Sequence, residues 1–507
     1  MASPASRCVF QRSALSPTTH SRLFSKMQSP ASESSSGVVE KPVIVQKFGG
    51  TSLGTPEKLE KVKNIMSDWH HKPAKCIAVV SAMSSYTKSE GTTSRLLAAA
   101  DAAVNRGRFG PIIDKIEDTH LAIVYSMLKD HAVKEMAREH VNGELTHLKR
   151  FLESLTVIRE LSGRSMDMIV GTGERLSAGV IAAVLQQEGI PGEYVNLSNL
   201  FDGIDASQTG FAELAKNRIA ETLIPLLNED KVPVVTGFLG HVDQGILEGI
   251  GRGYSDLTSG LVAVATEAKA LQVWKESDGI FTGNPTKLDN ARLVYHVTPR
   301  EAAELTYFGN EVLHPSTMES TIKHSVPVHI LNTFKPESKG TIVEPRSEHP
   351  SRGVLAISSK KGITMLNISS NKKLGSTSFL GRVFARAEKH GIKVDLISTS
   401  LVNLSFTVHE SVTQKQISEF TEDLGDIGKV SVRKERAIIS AIGEGMRSNR
   451  GLAGKMFTCL GQEGINIEMI SQGANEINMS VVIDMHEQQR ALEAVHKTFI
   501  EADGESV

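Results

Sequence analysis

Cysteine is scarce: the 507 residues carry three, Cys8, Cys76 and Cys459, far apart and without metal-ligand spacing. That excludes a disulfide framework and a cysteine-held metal, and it fits a reducing compartment. Aromatic residues make up 5 % of the chain, too few for a base-stacking surface. Charge of one sign is missing too. Lys and Arg number 56 against 58 Asp and Glu, a formal net charge of −2, so no basic excess points to a nucleic-acid partner. No apolar run reads as long enough to span a bilayer.

Acidic residues are absent from the start of the chain up to Glu33, while Arg7, Arg12, Arg22, Lys26 and many Ser and Pro are present. Residues 1–40 read either as a mitochondrial or plastid transit peptide or as a disordered tail, with Met27 as a possible second start. A cytoplasmic location is the expectation, an organellar one the alternative.

What remains is long enough for two to four domains. Residues 42–47, 76–80, 166–170, 232–236 and 270–274 read as strands, with helices over 56–69, across 91–160 and from 174 to about 188. The alternation implies an α/β layer around a mainly parallel sheet. Ligands in such folds sit beyond the carboxyl ends of the strands. The Gly-rich and polar segments of this chain fall there.

Four of those segments carry chemistry. Lys47-Phe-Gly-Gly-Thr-Ser52 puts a compact cation and two glycines between a strand and a helix, a geometry suited to an anion. A plain Gly-Gly turn is the competing reading. It is neither a GxxxxGK[ST] loop nor a dinucleotide fingerprint. Gly249-Ile-Gly-Arg252-Gly-Tyr-Ser255-Asp256 offers an arginine for a carboxylate; Asp256 alone reads equally as a helix cap. Gly171-Thr-Gly-Glu174-Arg175-Leu-Ser177 places a glutamate at a strand-to-helix junction. There it complements the helix dipole or binds a substrate ammonium. Trp274 to Pro285 is a strand end entering a turn-rich loop.

KFGGTS, SAMSSYT, GTGERLSAG, GRGYSDLTSG, WKESDGIFTGNP and AAELTYFGNEVLHPSTM resemble, in that order, the motifs of aspartokinases of the amino-acid kinase family. The match is to the single-function fungal type and covers residues 43 to about 500. The resemblance implies an ATP-dependent transfer of phosphate to the β-carboxylate of L-aspartate, with ATP and Mg²⁺ as cofactors and no metal site built by the protein alone. It implies catalytic roles for Lys47 and Asp256. ATP falls to Lys47, Gly49, Gly50, Thr51, Ser277, Asp278, Phe281 and Lys287, and aspartate to Ser81, Thr87, Glu174, Arg252 and Ser255. One departure stands out: the family reads close to TxDPR where this chain has Thr282-Gly-Asn284-Pro285-Thr286-Lys287. A catalytically impaired amino-acid sensor, or a kinase of another amino-acid carboxylate, is therefore the alternative.

The acceptor carboxylate has an ordinary pKa of about 3.9 and is ionised at neutral pH. Such a nucleophile needs no general base; the task is to bring two anions together by positioning and charge neutralisation. A glutamate and an arginine match the two charged backbone groups of a free amino acid.

Beyond the catalytic region, taken as 41–340, residues 341–358 read as a linker. Two βαββαβ, ferredoxin-like units follow at 359–433 and 434–503, related by the internal repeat HGIKVDLIS and EGINIEMIS. They resemble ACT domains. The resemblance implies an amino-acid effector, L-threonine with lysine as the alternative, held by Ser376, Phe379, Leu380, Val394, Asp395, Thr399 and Ser400. The competing reading makes Phe379, Leu380 and Val394 plain core. Paired units of this kind imply at least a homodimer. Asn475, Glu476 and Asn478 are expected where the paired units meet.

Overall fold

The computed structural model describes residues 41–84, 90–200, 211–240, 253–308, 313, 315–345, 353–371, 376–473 and 477–502. In chain order the strands are β1 (Val43–Phe48), β2 (Lys75–Val80), β3 (Gly192–Val195), β4 (Val232–Thr236), β5 (Ala270–Lys275), β6 (Ile280–Phe281), β7 (Leu293–Val294), β8 (His296–Val297), β9 (Val328–Asn332), β10 (Thr341–Val343), β11 (Ala356–Ser370), β12 (Ile397–Thr399), β13 (Asn403–His409), β14 (Gly428–Ile442), β15 (Met469–Gln472) and β16 (Asn478–Asp484). The helices are α1 (Pro56–His70), α2 (Thr92–Val104), α3 (Gly110–Met127), α4 (His131–Ile158), α5 (Gly163–Gln187), α6 (Phe211–Asn228), α7 (Tyr254–Ala265), α8 (Pro299–Tyr307), α9 (Pro315–Lys323), α10 (Ser376–Lys389), α11 (Gln414–Asp423), α12 (Leu452–Gln462) and α13 (Gln488–His496).

Eight strands form the first sheet in the order β3-β4-β2-β1-β5-β9-β10-β8, parallel from β3 through β9. The central strands β1 and β4 are buried along their whole length, as expected of a parallel sheet covered on both faces. β1 lies between β2 and β5, with Lys47 opposite Val79 and Val273. Lys47 is thus one residue from the carboxyl end of a central strand, where such folds bind ligands.

One expected strand is a helix. Residues 166–170 belong to α5, which starts at its cap Ser162 and runs for 25 residues. The β-branched run followed by Gly-Thr-Gly suggested a strand and a turn, but burial between the sheet and α2, α3 and α4 overrides local propensity. By length and composition α5 is also apolar enough to cross a membrane, contrary to the reading from hydropathy. Yet 83 % of its most apolar window is buried within the protein, so it is a core helix.

The second sheet has six strands, β12-β13-β11-β14-β16-β15. It contains two βαββαβ halves. In the first, the later part of β11 pairs with β13 and β14, and β12 closes the edge. In the second, residues 437–442 of β14 pair with β16, and β15 closes the edge. Its fourth strand is the start of β11, where Ala356 to Lys360 pair with Ile442 to Ile438. Residues 356–358 were expected in a linker. They are a strand completing the second half, so the first half is nested within the second. The halves keep separate cores, one around Phe379, Phe406 and Phe420 and the other around Ile439, Met456 and Leu492.

The two large sheets belong to one compact unit, and several hydrogen bonds cross between their domains. The Glu444 N–H donates to Glu301 Oε1 at 2.9 Å, and Asn478 Nδ2 donates to Glu304 Oε2 at 2.9 Å. Asn478 therefore grips the first domain; residues 475 and 476 lie outside the described residues.

Candidate active site

Three consecutive residues at the head of α7 reach three walls of one cleft. Gly253 precedes them with φ +107°, a left-handed turn that suits glycine. The Tyr254 hydroxyl donates to Glu174 Oε1 at 2.6 Å, Ser255 Oγ lies 2.8 Å from Ser81 Oγ, and Asp256 pairs with Lys47. Asp256 is not the helix cap. Its side chain and that of Lys47 are each less than a tenth exposed, so each charge depends on the other for compensation.

The cleft is about 250 Å³ and is lined by Gly50, Thr51, Ser81, Glu174, Tyr254 and Ser255 among others. Its walls pack closely. A Cβ at Gly50 would collide with the Ala82 carbonyl, and one at Gly173 would lie 2.7 Å from the Ala82 Cβ. Glycine at both positions lets the segment after β2 lie against the KFGG turn and α5. Ser177 Oγ fixes that segment by accepting from the Met83 N–H at 3.0 Å.

Glu174 lies in the middle of α5 rather than at a helix start, so the helix dipole does not account for it. It is 2 % exposed. Its Oε2 is buried and has no hydrogen-bond partner among the described residues. The next residue, Arg175, is engaged by Glu144 at 2.7 Å and Thr172 at 2.9 Å. Burial pushes the Glu174 carboxyl up to about 7, with the Tyr254 hydroxyl and the Ala82 N–H pulling it back. A buried carboxylate with a vacant oxygen in a cleft suits an incoming cation.

A profile of the amino acid kinase family matches residues 42–332, and an ACT domain profile matches 439–499. The aspartokinase of Candida albicans is 40 % identical over 493 residues, 90 % of each chain. That of Saccharomyces cerevisiae is 40 % identical over 484 residues, covering 89 % of this chain and 92 % of the yeast protein. The chain belongs to the aspartokinases of the amino acid kinase family. Among solved structures, Escherichia coli aspartokinase III in complex with aspartate and ADP superimposes with a TM-score of 0.74 at 26 % identity. The match covers 90 % of this chain and 99 % of that one.

Within this aspartokinase, Gly50, Thr51, Ser81, Glu174 and Ser255 line the cleft, and Asp256, next after Ser255, pairs with Lys47. Gly49 caps the short turn that follows β1. Thr87 and Arg252 lie outside the described residues. The Thr51 hydroxyl is held by Glu276, so it braces the turn against the loop after β5.

That loop carries the expected nucleotide contacts. Ser277 is exposed, and Phe281 is half-buried. Asp278 accepts from Asn332 Nδ2 at 2.6 Å and faces Lys335 at 3.5 Å. Lys287 lies against the second regulatory half. Its carbonyl accepts from Gln489 of α13, and burial together with Lys361 holds its ammonium below the usual lysine range. The altered Asn284 to Lys287 stretch thus lies against the regulatory sheet. Thr282 Oγ1 meets His496 Nε2 at 3.1 Å, and Leu288 packs into the core of the second half.

In the first half, Phe379 is core, with Leu380 and Val394 packed against it. Ser376 opens α10, and its side chain lies outside the described set. Asp395 pairs with Lys360 at 2.9 Å and keeps a buried Oδ2 without a partner. Thr399 Oγ1 donates to the Asn403 carbonyl at 3.2 Å, and Ser400 Oγ accepts from the Asn403 N–H at 3.2 Å. Asp395 precedes the short β12, Thr399 ends it and Ser400 follows it. Tyr254 and Ser177 escaped the sequence reading. The available signal was an aromatic residue among glycines at a helix head.

Proposed function

We propose that this cleft transfers the γ-phosphate of ATP to the β-carboxylate of L-aspartate. The observation that carries the reading is the buried Glu174 carboxylate, open at Oε2 in the cleft and held by Tyr254, two residues before the Asp256 that pairs with Lys47. Glu174 receives the substrate ammonium. Lys47 screens the phosphate oxygens, and Asp256 holds Lys47 in place. Ser81 and Ser255 supply hydroxyls on the wall between the two charged sites. Transfer needs no general base, because the acceptor is already an anion. Catalysis rests on positioning and charge. Mg²⁺ would come with the nucleotide and supply charge neutralisation at its phosphates, with Asp256 a carboxylate that could face it.

The reading extends to feedback inhibition by L-threonine at the first half of the regulatory sheet. Asp395, with its vacant oxygen, supports it as a seat for an ammonium. Association into at least a dimer is supported by the apolar groups bare along the sheet edges, with Leu401 at 78 % exposure and Ile397 and Ile470 at 44 %.

The test is a panel of amino acids with ATP and Mg²⁺, using hydroxylamine to trap the acyl phosphate. L-Aspartate alone should yield hydroxamate, and L-threonine should suppress it. Hydroxamate from glutamate or N-acetylglutamate instead would assign another substrate. No hydroxamate with any of them would mark a sensor without activity.

A further inference from the structure

Tyr254 has no role in the chemistry described so far, yet its hydroxyl donates directly to the Glu174 side chain at 2.6 Å. The phenol is held rigidly. It is 7 % exposed, and its ring meets Phe238 edge-on at 5.8 Å and 87°. Val170 completes this small apolar cluster. A buried tyrosine hydroxyl needs a partner, and this one has taken Oε1 while Oε2 stays open. The division matters because a carboxylate free to rotate would present either oxygen to the cleft, or neither.

Other groups act on this pair. From α5, Arg175 favours the charged carboxylate, and Asp167 disfavours ionisation of the phenol. Thr93 of α2 and the Ala82 N–H contribute hydrogen-bonding dipoles. Arg175 is itself spent on Glu144 and Thr172, which leaves the Tyr254 hydroxyl and the Ala82 N–H as the donors that favour an ionised Glu174, the hydroxyl being the larger influence.

We propose that Tyr254 is a positioning residue for amino-acid recognition: its hydroxyl holds Glu174 Oε1 so that Oε2 receives the ammonium of the substrate. The inference rests on the reading of Glu174 given above. Substrate binding is then selective for an α-amino group because the receiving oxygen is fixed before the ligand arrives. ATP, bound beside Lys47, does not sense the phenol.

The test compares Tyr254→Phe, Glu174→Gln and the double variant in steady-state kinetics between pH 6 and 9. Phenylalanine keeps the ring against Phe238 and removes only the donor. Tyr254→Phe should raise the KM for aspartate about tenfold, as expected for one lost charge-assisted hydrogen bond, with kcat and the KM for ATP within about twofold. Losing a donor to the charged form should also move the acid limb of kcat/KM for aspartate to higher pH. Added to Glu174→Gln, the tyrosine change should have no further effect. The proposal is overturned if Tyr254→Phe leaves the aspartate KM and the acid limb in place while Glu174→Gln cripples aspartate use; the Glu174 reading then survives. It is equally overturned if both changes add in full. If Glu174→Gln itself leaves the aspartate KM unchanged, the reading falls and takes the proposal with it.

Discussion

Two glutamates lie fully inside this protein and live in opposite ways. Glu301, in the seam between the kinase and the regulatory sheet, has both oxygens occupied. Oε1 accepts from the Glu444 N–H and Oε2 from the Thr298 N–H, each at 2.9 Å, and Oε2 belongs to a capping box on α8. Glu174, in the cleft, has one oxygen bonded and one open. Burying a charge is costly unless it is paired and hydrogen-bonded. Glu301 meets that demand within the fold and is structural. Glu174 does not: burial raises its carboxyl to about 7, so the charge is relieved by a proton or, on the function proposed above, by a ligand cation. Whether the fold satisfies its own buried carboxylate is what separates seam from site.

The sharpest way to probe the cleft side is Lys47→Ala. Turnover should fall by about 10²–10³-fold or more, read as aspartate-dependent ADP release. Because Asp256 then stays buried without its cation, a denaturant melt should also show a loss of about 3–5 kcal/mol.

On the seam side, Leu288→Ala should cost about 2–5 kcal/mol, since Leu288 is a kinase residue buried in the core of the second regulatory half. Truncating Leu401, which is bare on the first half, should change stability by no more than about 0.5 kcal/mol. Equal effects in the melts would erase the difference between a docked half and a free one.

Glutamine at the two glutamates should act with opposite signs. Glu301→Gln replaces an acceptor with a donor facing a backbone N–H and should cost about 1–3 kcal/mol. The Glu174 carboxyl is raised from 4.5 to about 7. A raised carboxyl contributes stability below its unfolded pKa and loses it as pH rises through about 7. Glu174→Gln should therefore melt higher than the parent at pH 8, and the gain should vanish near pH 4.5.

The smallest effect belongs to His496, which burial holds below its ordinary 6.5 against the pull of Glu501. A histidine lowered in the fold favours the native state at higher pH and loses that contribution as pH falls below about 6.5. His496→Gln should flatten this limb of a stability-against-pH curve.

Much of the site was legible in the sequence because its residues sit at strand ends with glycines beside them. Lys47 sits at a strand end before two glycines, Ser81 just past a strand end, and Ser255 two residues after Gly253 at a helix head, and the βαββαβ repeat declared itself through HGIKVDLIS and EGINIEMIS. What stayed hidden depends on long-range packing. The run from Met166 to Val170 has strand propensity, yet α5 is a helix because its neighbours bury it on nearly every side. The start of β11 reads as polar linker locally and becomes a strand only by pairing with β14, some eighty residues on. Tyr254 gave no sign of touching Glu174, since 80 positions separate them. The place of the turn at Asn284 to Lys287 is visible only in space: it faces the regulatory half through Gln489 and Lys361.

Calorimetric titration of L-aspartate and of succinate, which keeps both carboxylates but lacks the amino group, into the parent protein and Glu174→Gln would test the waiting carboxylate directly. The parent should bind aspartate far more tightly than succinate, and the variant should treat the two alike. A variant that still prefers aspartate by the same factor would contradict the assignment of Glu174 and the account of the cleft built on it.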